Sequence, residues 1–234
     1  MSNRQVVLKR HPNGIPVPED FNLVERSVAE PDDGQMLVRN LFFSLEAAIR
    51  SWLDGKANYF EPIPLGGAIR GPSVARVVKS HLAGFEVGDL IFGLHYWEDY
   101  SLSDANTILL SKLSPEPDIP LSYYSGGLGG SGHTAYVGLH EIGKIQSGET
   151  VLISAAAGAT GSMATQIAKL RGCNVVGIVG SDEKAELVTD TLGAGAAVNY
   201  KVGATRRGGR ATFSVSTTRL KPSRSFGLFT YLSS

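Results

Sequence analysis

The chain has 234 residues with 42% hydrophobic content, 22 basic against 22 acidic side chains and therefore a formal net charge of zero, the composition of an ordinary soluble globular protein able to bury a sizeable core. No apolar run approaches the roughly 20 residues of a membrane helix. MSNRQVVLKRHP lacks the apolar centre of a signal peptide, so the cytoplasm is the default location. The single cysteine, Cys173, excludes an internal disulfide and a thiolate cluster for zinc. It abuts an apolar strand and reads as a buried, inert thiol.

The zero net charge hides an asymmetry. Residues 203–234 carry six Lys or Arg and no acid, so residues 1–202 hold 16 basic against 22 acidic side chains, a net of −6. Nucleic-acid binding by an acidic body is disfavoured on electrostatic grounds. A homodimer is left open.

The first hundred residues read as short strands separated by Pro and Gly, an all-β pattern. Strands are predicted at Gln5–Lys9, Phe21–Val28, Met36–Leu45, Val74–Lys79, Asp89–Leu94 and Ile108–Leu113, with HPNGIP and PDDGQ as turns. Ser44–Gly55 could form a short helix. The expected architecture is a partial barrel over residues 1–125. His11, His81, His95, His133 and His140 show no metal-ligand spacing and read as surface or packing residues. Tyr96, Trp97 and Tyr100 could line a substrate pocket, although strand aromatics more often serve the core. Ser125–Gly132, SGGLGGSG, reads as the hinge between domains, and Thr134–Ile142 as a helix.

Strand, glycine turn, helix and strand then follow in immediate succession. Val151–Ser154 is the short apolar run of a strand buried on both faces. Ala156-x-Gly158-x-x-Gly161 is the dinucleotide fingerprint with alanine in the first glycine position. Gly158 admits a pyrophosphate close to the backbone, Gly161 admits the helix close to the strand, and the helix N-terminus favours an anion. Gly172 suits the helix end and Asn174–Val179 is the second strand. A nucleotide unit of the NAD type places a carboxylate on the ribose about 20 residues beyond the glycines. Here that position falls on Gly180 and Ser181, with Lys184 nearby, which favours the 2′-phosphate of NADPH. Asp182 and Glu183 would restore an acid if the register slipped by one; otherwise they complement the dipole of a helix over Ser181–Leu192 that Gly193 ends. Ala196–Lys201 is the third strand.

A doubly wound domain has about six strands, and its second half should begin here. VGATRRGGRATFSVSTTRLKPSRSFGLFTYLSS instead clusters Arg, Ser and Thr without helical period. Three readings stand: a flexible basic tail, a partner-binding segment, and an out-of-frame product. The domains are therefore read as 1–125, 126–202 and the basic stretch 203–234.

With these residues placed, the chain resembles the zinc-independent branch of the medium-chain dehydrogenase/reductase superfamily, in its prostaglandin reductase, leukotriene hydroxydehydrogenase and curcumin reductase-like group. The resemblance runs from about Asn3 to Lys201 and is carried by NRQVVLKRHPNGIPVPEDFNLVE, FEVGDLIFGLHYWEDY, LSYYSGGLGGSGHTAYVGL, SAAAGATGS with QIAKLRGCNVVGIVGSDEK, and NYK. It implies a GroES-like partial β-barrel followed by an α/β Rossmann domain, here apparently truncated after the third strand. It also implies metal-free reduction of the carbon–carbon double bond of α,β-unsaturated ketones or aldehydes, with NADP as the cofactor. Gly158, Ala159, Thr160 and Gly161 match the family's pyrophosphate loop; Lys184 and Tyr200 match residues used around the adenosine 2′-phosphate, alongside Ser181. Ala48 stands where the family commonly has a substrate-orienting tyrosine. Gly129–Thr134 departs from the usual Gly-Met-Pro-Gly-Leu-Thr, and Thr160 replaces a usual valine. No catalytic residue is assigned. A quinone reductase and a non-catalytic nucleotide-binding protein pairing through a bare sheet edge are the alternatives.

Overall fold

The computed structural model describes residues 2–56, 60–206, 209–210 and 229–232. They form two units, Met1–Ser125 and Gly126–Ser234. Among the described residues no helix is long and apolar enough to cross a membrane.

The first unit is β-rich. Strands β1 (Ser2–Leu8) and β2 (Phe21–Ser27) form an antiparallel ribbon in register Ser2 to Ser27 through Leu8 to Phe21. A five-stranded antiparallel sheet has the order β6-β3-β4-β5-β7, from Tyr100–Asp104, Gln35–Phe43, Arg70–Ser80, Leu90–Tyr96 and Ser111–Leu113. Isolated bridges at Gln5–Glu98 and Val7–Ala68 tie ribbon to sheet. Helix α1 (Ala47–Trp52) realises the helical alternative for the segment after β3. Its Ile49 and Trp52 join Leu8, Leu53, Ile63 and Ile69 in one core, while Met36, Val38, Ala75, Val77 and Ile91 make another.

A buried polar chain accompanies this apolar core. Glu98, 8% exposed, accepts from Asn3 Nδ2 at 3.0 Å, from Gln5 Nε2, and from Ser101 Oγ at 2.8 Å. Asn40 Nδ2 donates to the Glu98 carbonyl and to Ser101 Oγ, each at 2.9 Å. A carbonyl only accepts, so Asn40 Oδ1 is left to take the Ser73 hydroxyl proton at 3.0 Å. His95 Nδ1, 2.7 Å from Ser73 Oγ, must then be the protonated nitrogen, with Nε2 facing Ser103 Oγ at 3.3 Å. Burial pushes the His95 imidazole down from 6.5 to about 4. This strengthens its reading as a packing residue held neutral.

The second unit starts at Gly126, but its first helix begins earlier than the sequence suggests. Helix α2 spans Gly130–Tyr136 and continues as a wider π turn over Val137–Ile142, so the last three residues of the glycine-rich stretch read as a hinge are helix. The reason is close packing: a Cβ on Gly132 would lie 1.6 Å from the Gly127 carbonyl oxygen. β8 (Thr150–Ser154), β9 (Asn174–Val179) and β10 (Ala196–Asn199) form a parallel core in the order β10-β9-β8, with α3 (Ala159–Leu170) crossing between β8 and β9 and α4 (Asp182–Glu186), extended by a π turn over Leu187–Thr191, between β9 and β10. The core is made of Val151, Ile153, Val175, Val179 and Val188 with seven alanines, small side chains that let α3 approach the sheet.

Both flanks of this parallel core are covered. β11 (Gly203–Arg206) pairs antiparallel with β10 and in turn with β12 (Gly209–Arg210), and β13 (Phe229–Leu232) pairs antiparallel with β8, Phe229 opposite Ile153. The bare edge expected beyond the third strand is therefore corrected. The backbone groups of β8 and β10 that a partner strand would need are taken up within the chain. Residues 207–208, 211–228 and 233–234, which share the reading of a flexible or out-of-frame segment, lie outside the described residues.

Candidate functional site

The carboxyl ends of β8, β9 and β10 carry the sequence-derived candidates. Beyond Ser154 the chain turns through Ala155, whose φ of 49° is left-handed, and the Gly158 N–H returns to the Ala155 carbonyl at 2.8 Å. Ala156 N–H donates to Ile178 O of β9 at 3.1 Å, binding the turn to the second strand. Gly158 caps α3 without a side chain and is exposed, as is Ala159; Thr160 is half-buried. Gly161 is buried, and a Cβ there would lie 2.1 Å from the Ala155 carbonyl oxygen, a distance no side chain tolerates. Glycine at 161 is thus what lets the helix leave the strand this tightly. The first N–H groups of a helix have no intrahelical acceptor, and here no capping side chain occupies them. The turn therefore offers backbone donors and a positive dipole end, a fitting environment for a pyrophosphate.

The second cluster lies one and two strands over. Ser181 precedes α4 in extended conformation and its Oγ accepts from the Lys184 N–H at 3.3 Å. The hydroxyl keeps its own proton for a further acceptor. Lys184 is exposed and forms no ion pair among the described residues. Tyr200 follows β10, 66% exposed, with its N–H on the Val179 carbonyl at 3.1 Å. Its ring lies across Gly180: a Cβ on that glycine would be 3.0 Å from the tyrosine hydroxyl. Ser181 and Tyr200 thus flank Gly180, with the Lys184 N–H tied to Ser181, at the same end of the sheet as Gly158, Ala159, Thr160 and Gly161. Asp182, the acid that a register slip would bring into play, is engaged elsewhere, since Asn199 Nδ2 donates to its Oδ1 at 2.8 Å. Neither Asn199 nor Gly180 as a seat for Tyr200 stands out in the sequence alone. Only the parallel register of β9 and β10, with Asn199 opposite Val179, brings them together.

In the first unit a cleft of about 560 Å³ is lined by Asn3, Gln5, Arg70, Tyr96, Glu98 and Tyr100 among others. The three aromatics divide: Tyr96 and Tyr100 face this cleft, whereas Trp97 packs on Phe43 with ring centres 6.3 Å apart. Ala48 is packed against the α1 core and carries no polar group toward a substrate. The histidines stay apart, and no three His, Cys, Asp or Glu side chains come together as a metal site among the described residues. Cys173 donates its thiol to the Gln146 carbonyl at 3.2 Å, and burial pushes its pKa up, away from thiolate chemistry.

Residues 4–110 match the family described as the N-terminal domain of oxidoreductase, and residues 159–213 the family described as zinc-binding dehydrogenase. An NADPH-dependent curcumin reductase of Escherichia coli is 41% identical over 191 residues, 82% of this chain and 54% of that protein. The chain is similar to members of the medium-chain dehydrogenase/reductase superfamily. A 2-alkenal reductase (NADP(+)-dependent) of Nicotiana tabacum is a further superfamily relative, 40% identical over 205 residues, covering 86% of this chain and 59% of that protein. The crystal structure of CurA from Vibrio vulnificus in complex with NADPH superposes with a TM-score of 0.76 and 39% identity, over 85% of this chain and 58% of that one. The chain thus spans somewhat more than half the length of the superfamily members it matches. The α/β class, with a β-rich first part and three parallel strands of a Rossmann domain, agrees with the sequence reading.

Proposed function

We propose that this chain serves NADPH-dependent reduction of the carbon–carbon double bond of α,β-unsaturated ketones or aldehydes in the cytoplasm. The observation that carries the reading is the pair of clusters at the carboxyl ends of β8, β9 and β10: the Gly158–Gly161 turn for a pyrophosphate, and Ser181, Lys184 and Tyr200 beyond β9 and β10 for a 2′-phosphate. The relatives' names, curcumin reductase and 2-alkenal reductase, supply the substrate class. Bound NADPH supplies a hydride for the β-carbon of the substrate. The chain's residues hold and orient: free amides of α3 face the pyrophosphate, while the Lys184 ammonium, the Ser181 hydroxyl and the Tyr200 hydroxyl serve the 2′-phosphate as charge and hydrogen-bond donors. The reading takes the reaction as metal-free, which the thiol held on a carbonyl and the histidines standing apart among the described residues support. With alanine at 48, the proton for the α-carbon is not assigned to that position.

Fluorescence titration with NADPH and NADH tests the coenzyme assignment. NADPH binds more tightly, and Lys184→Ala lowers its affinity about tenfold while leaving NADH within twofold, the scale of one charge-assisted contact. Equal wild-type affinities reject the 2′-phosphate reading. Oxidation of NADPH by an alkenal, compared with a quinone, separates enone from quinone reduction. Binding of NADPH without turnover of either supports the non-catalytic alternative, and sedimentation decides whether the species is a homodimer.

A further inference from the structure

We propose that Asn199 is a positioning residue for coenzyme selection, holding the Asp182 carboxylate away from the adenosine ribose. The proposal rests on the reading that Gly180, Ser181, Lys184 and Tyr200 receive the 2′-phosphate. Asn199 ends β10 and is 3% exposed. Its Nδ2 donates to Asp182 Oδ1 at 2.8 Å and its Oδ1 accepts from the Lys201 N–H at 3.1 Å. A carboxylate only accepts and an N–H only donates, so the orientation of the amide is settled by its two partners. Each end of a buried side chain is thereby committed, one of them in a charge-assisted bond.

The placement gives this bond its meaning. Asp182 is the first residue of α4, next to Ser181 and two before Lys184, so its exposed carboxylate is tied down within the cluster itself. A coenzyme with a free ribose diol is held by a carboxylate at this end of the second strand. Released from Asn199, Asp182 would offer such an acceptor to NADH and a like charge to the phosphate of NADPH. Asn199 also immediately precedes Tyr200, so one residue sets both the start of α4 and the departure of the ring that covers Gly180. Selection here depends on where an acid is pinned, with the acid itself still present in the sequence.

The test is fluorescence titration of NADPH and of NADH into wild type, Asn199→Ala, Asp182→Asn and the double variant, with a thermal melt of each. Asn199→Ala lowers the NADPH-over-NADH affinity ratio about tenfold, the scale of one uncompensated like-charge contact at a partly exposed site. Adding Asp182→Asn restores the ratio. Where Asn199→Ala does not fold, Asn199→Ser, which keeps an oxygen for the Lys201 N–H, gives the same direction. The proposal is overturned if the Asn199 variants weaken both coenzymes alike, or if Asp182→Asn does not restore the ratio; Asn199 is then structural only. Equal affinities in wild type overturn the 2′-phosphate reading and this proposal with it, whereas a selective wild type with an unchanged variant overturns the proposal alone.

Discussion

The two units solve core formation in opposite ways. The first fills its interior with large side chains, Leu8, Met36, Trp52, Ile63 and Ile91, and threads a chain of buried polar groups from Glu98 to His95 beside them. The second uses seven buried alanines and a helix that leaves its strand over Gly161, so its interior is set by how closely backbones approach. The first is therefore vulnerable to lost volume and to charge, the second to added volume.

The largest effect should come from Trp52→Ala in the first unit. Its ring sits edge-on to Phe60 at 5.1 Å and is 3% exposed, so truncation costs about 3–5 kcal/mol in denaturant unfolding. Trp52→Phe costs less, because among the described residues the indole N–H has no partner to lose. In the second unit the sign of the volume change reverses. Gly161→Val drives a side chain into the Ala155 backbone and costs about 3 kcal/mol, with coenzyme binding lost at the same time. A loss confined to binding, with unchanged unfolding, would break the comparison.

Charge is a third lever, and in the first unit it acts through His95. Burial holds His95 at about 4 in the fold against 6.5 when free, so its neutral form contributes fully above pH 6.5 and that contribution is lost as the pH falls toward 4. Linkage puts the loss on the order of 3 kcal/mol across that window. Unfolding midpoints measured between pH 7 and 4 should decline in wild type and decline less in His95→Gln. An equal decline in both would remove His95 as the cause. At the small end, Leu170→Gln at the exposed end of α3, 88% exposed, should change stability by no more than about 0.5 kcal/mol.

The same contrast explains what the sequence discloses. The second unit is legible because its signals are local: a glycine turn between an apolar strand and a helix, and a second strand whose predicted limits, Asn174–Val179, are those observed. In the first unit β6 escapes notice. Its inward residues are Ser101 and Ser103 while Leu102 is turned outward at 36% exposure, so the hydrophobic alternation that marks a strand is inverted to serve the polar chain. Strands β11 and β13 escape for another reason, being additions to a parallel core that no short-range pattern announces. At the candidate site the glycines and Lys184 are visible as motif. The bond between Asn199 and Asp182 is not, because it depends on two segments meeting across a loop.

The bonds that Asn3 makes to Glu98 and Tyr100 join residues 95 to 97 positions apart, whereas β8, α3 and β9 meet one another within about thirty residues of chain. Long loops close slowly and short ones quickly, so contact order places the two units on different clocks. During synthesis β1 must wait for the 98–100 segment to emerge before its buried amide finds a carboxylate, and until then Asn3 and Gln5 offer unpaired donors to any chaperone or neighbouring strand. The β8–α3–β9 unit, made later, needs no such delay and can be the first part of the chain to acquire protection in pulse-labelled hydrogen exchange.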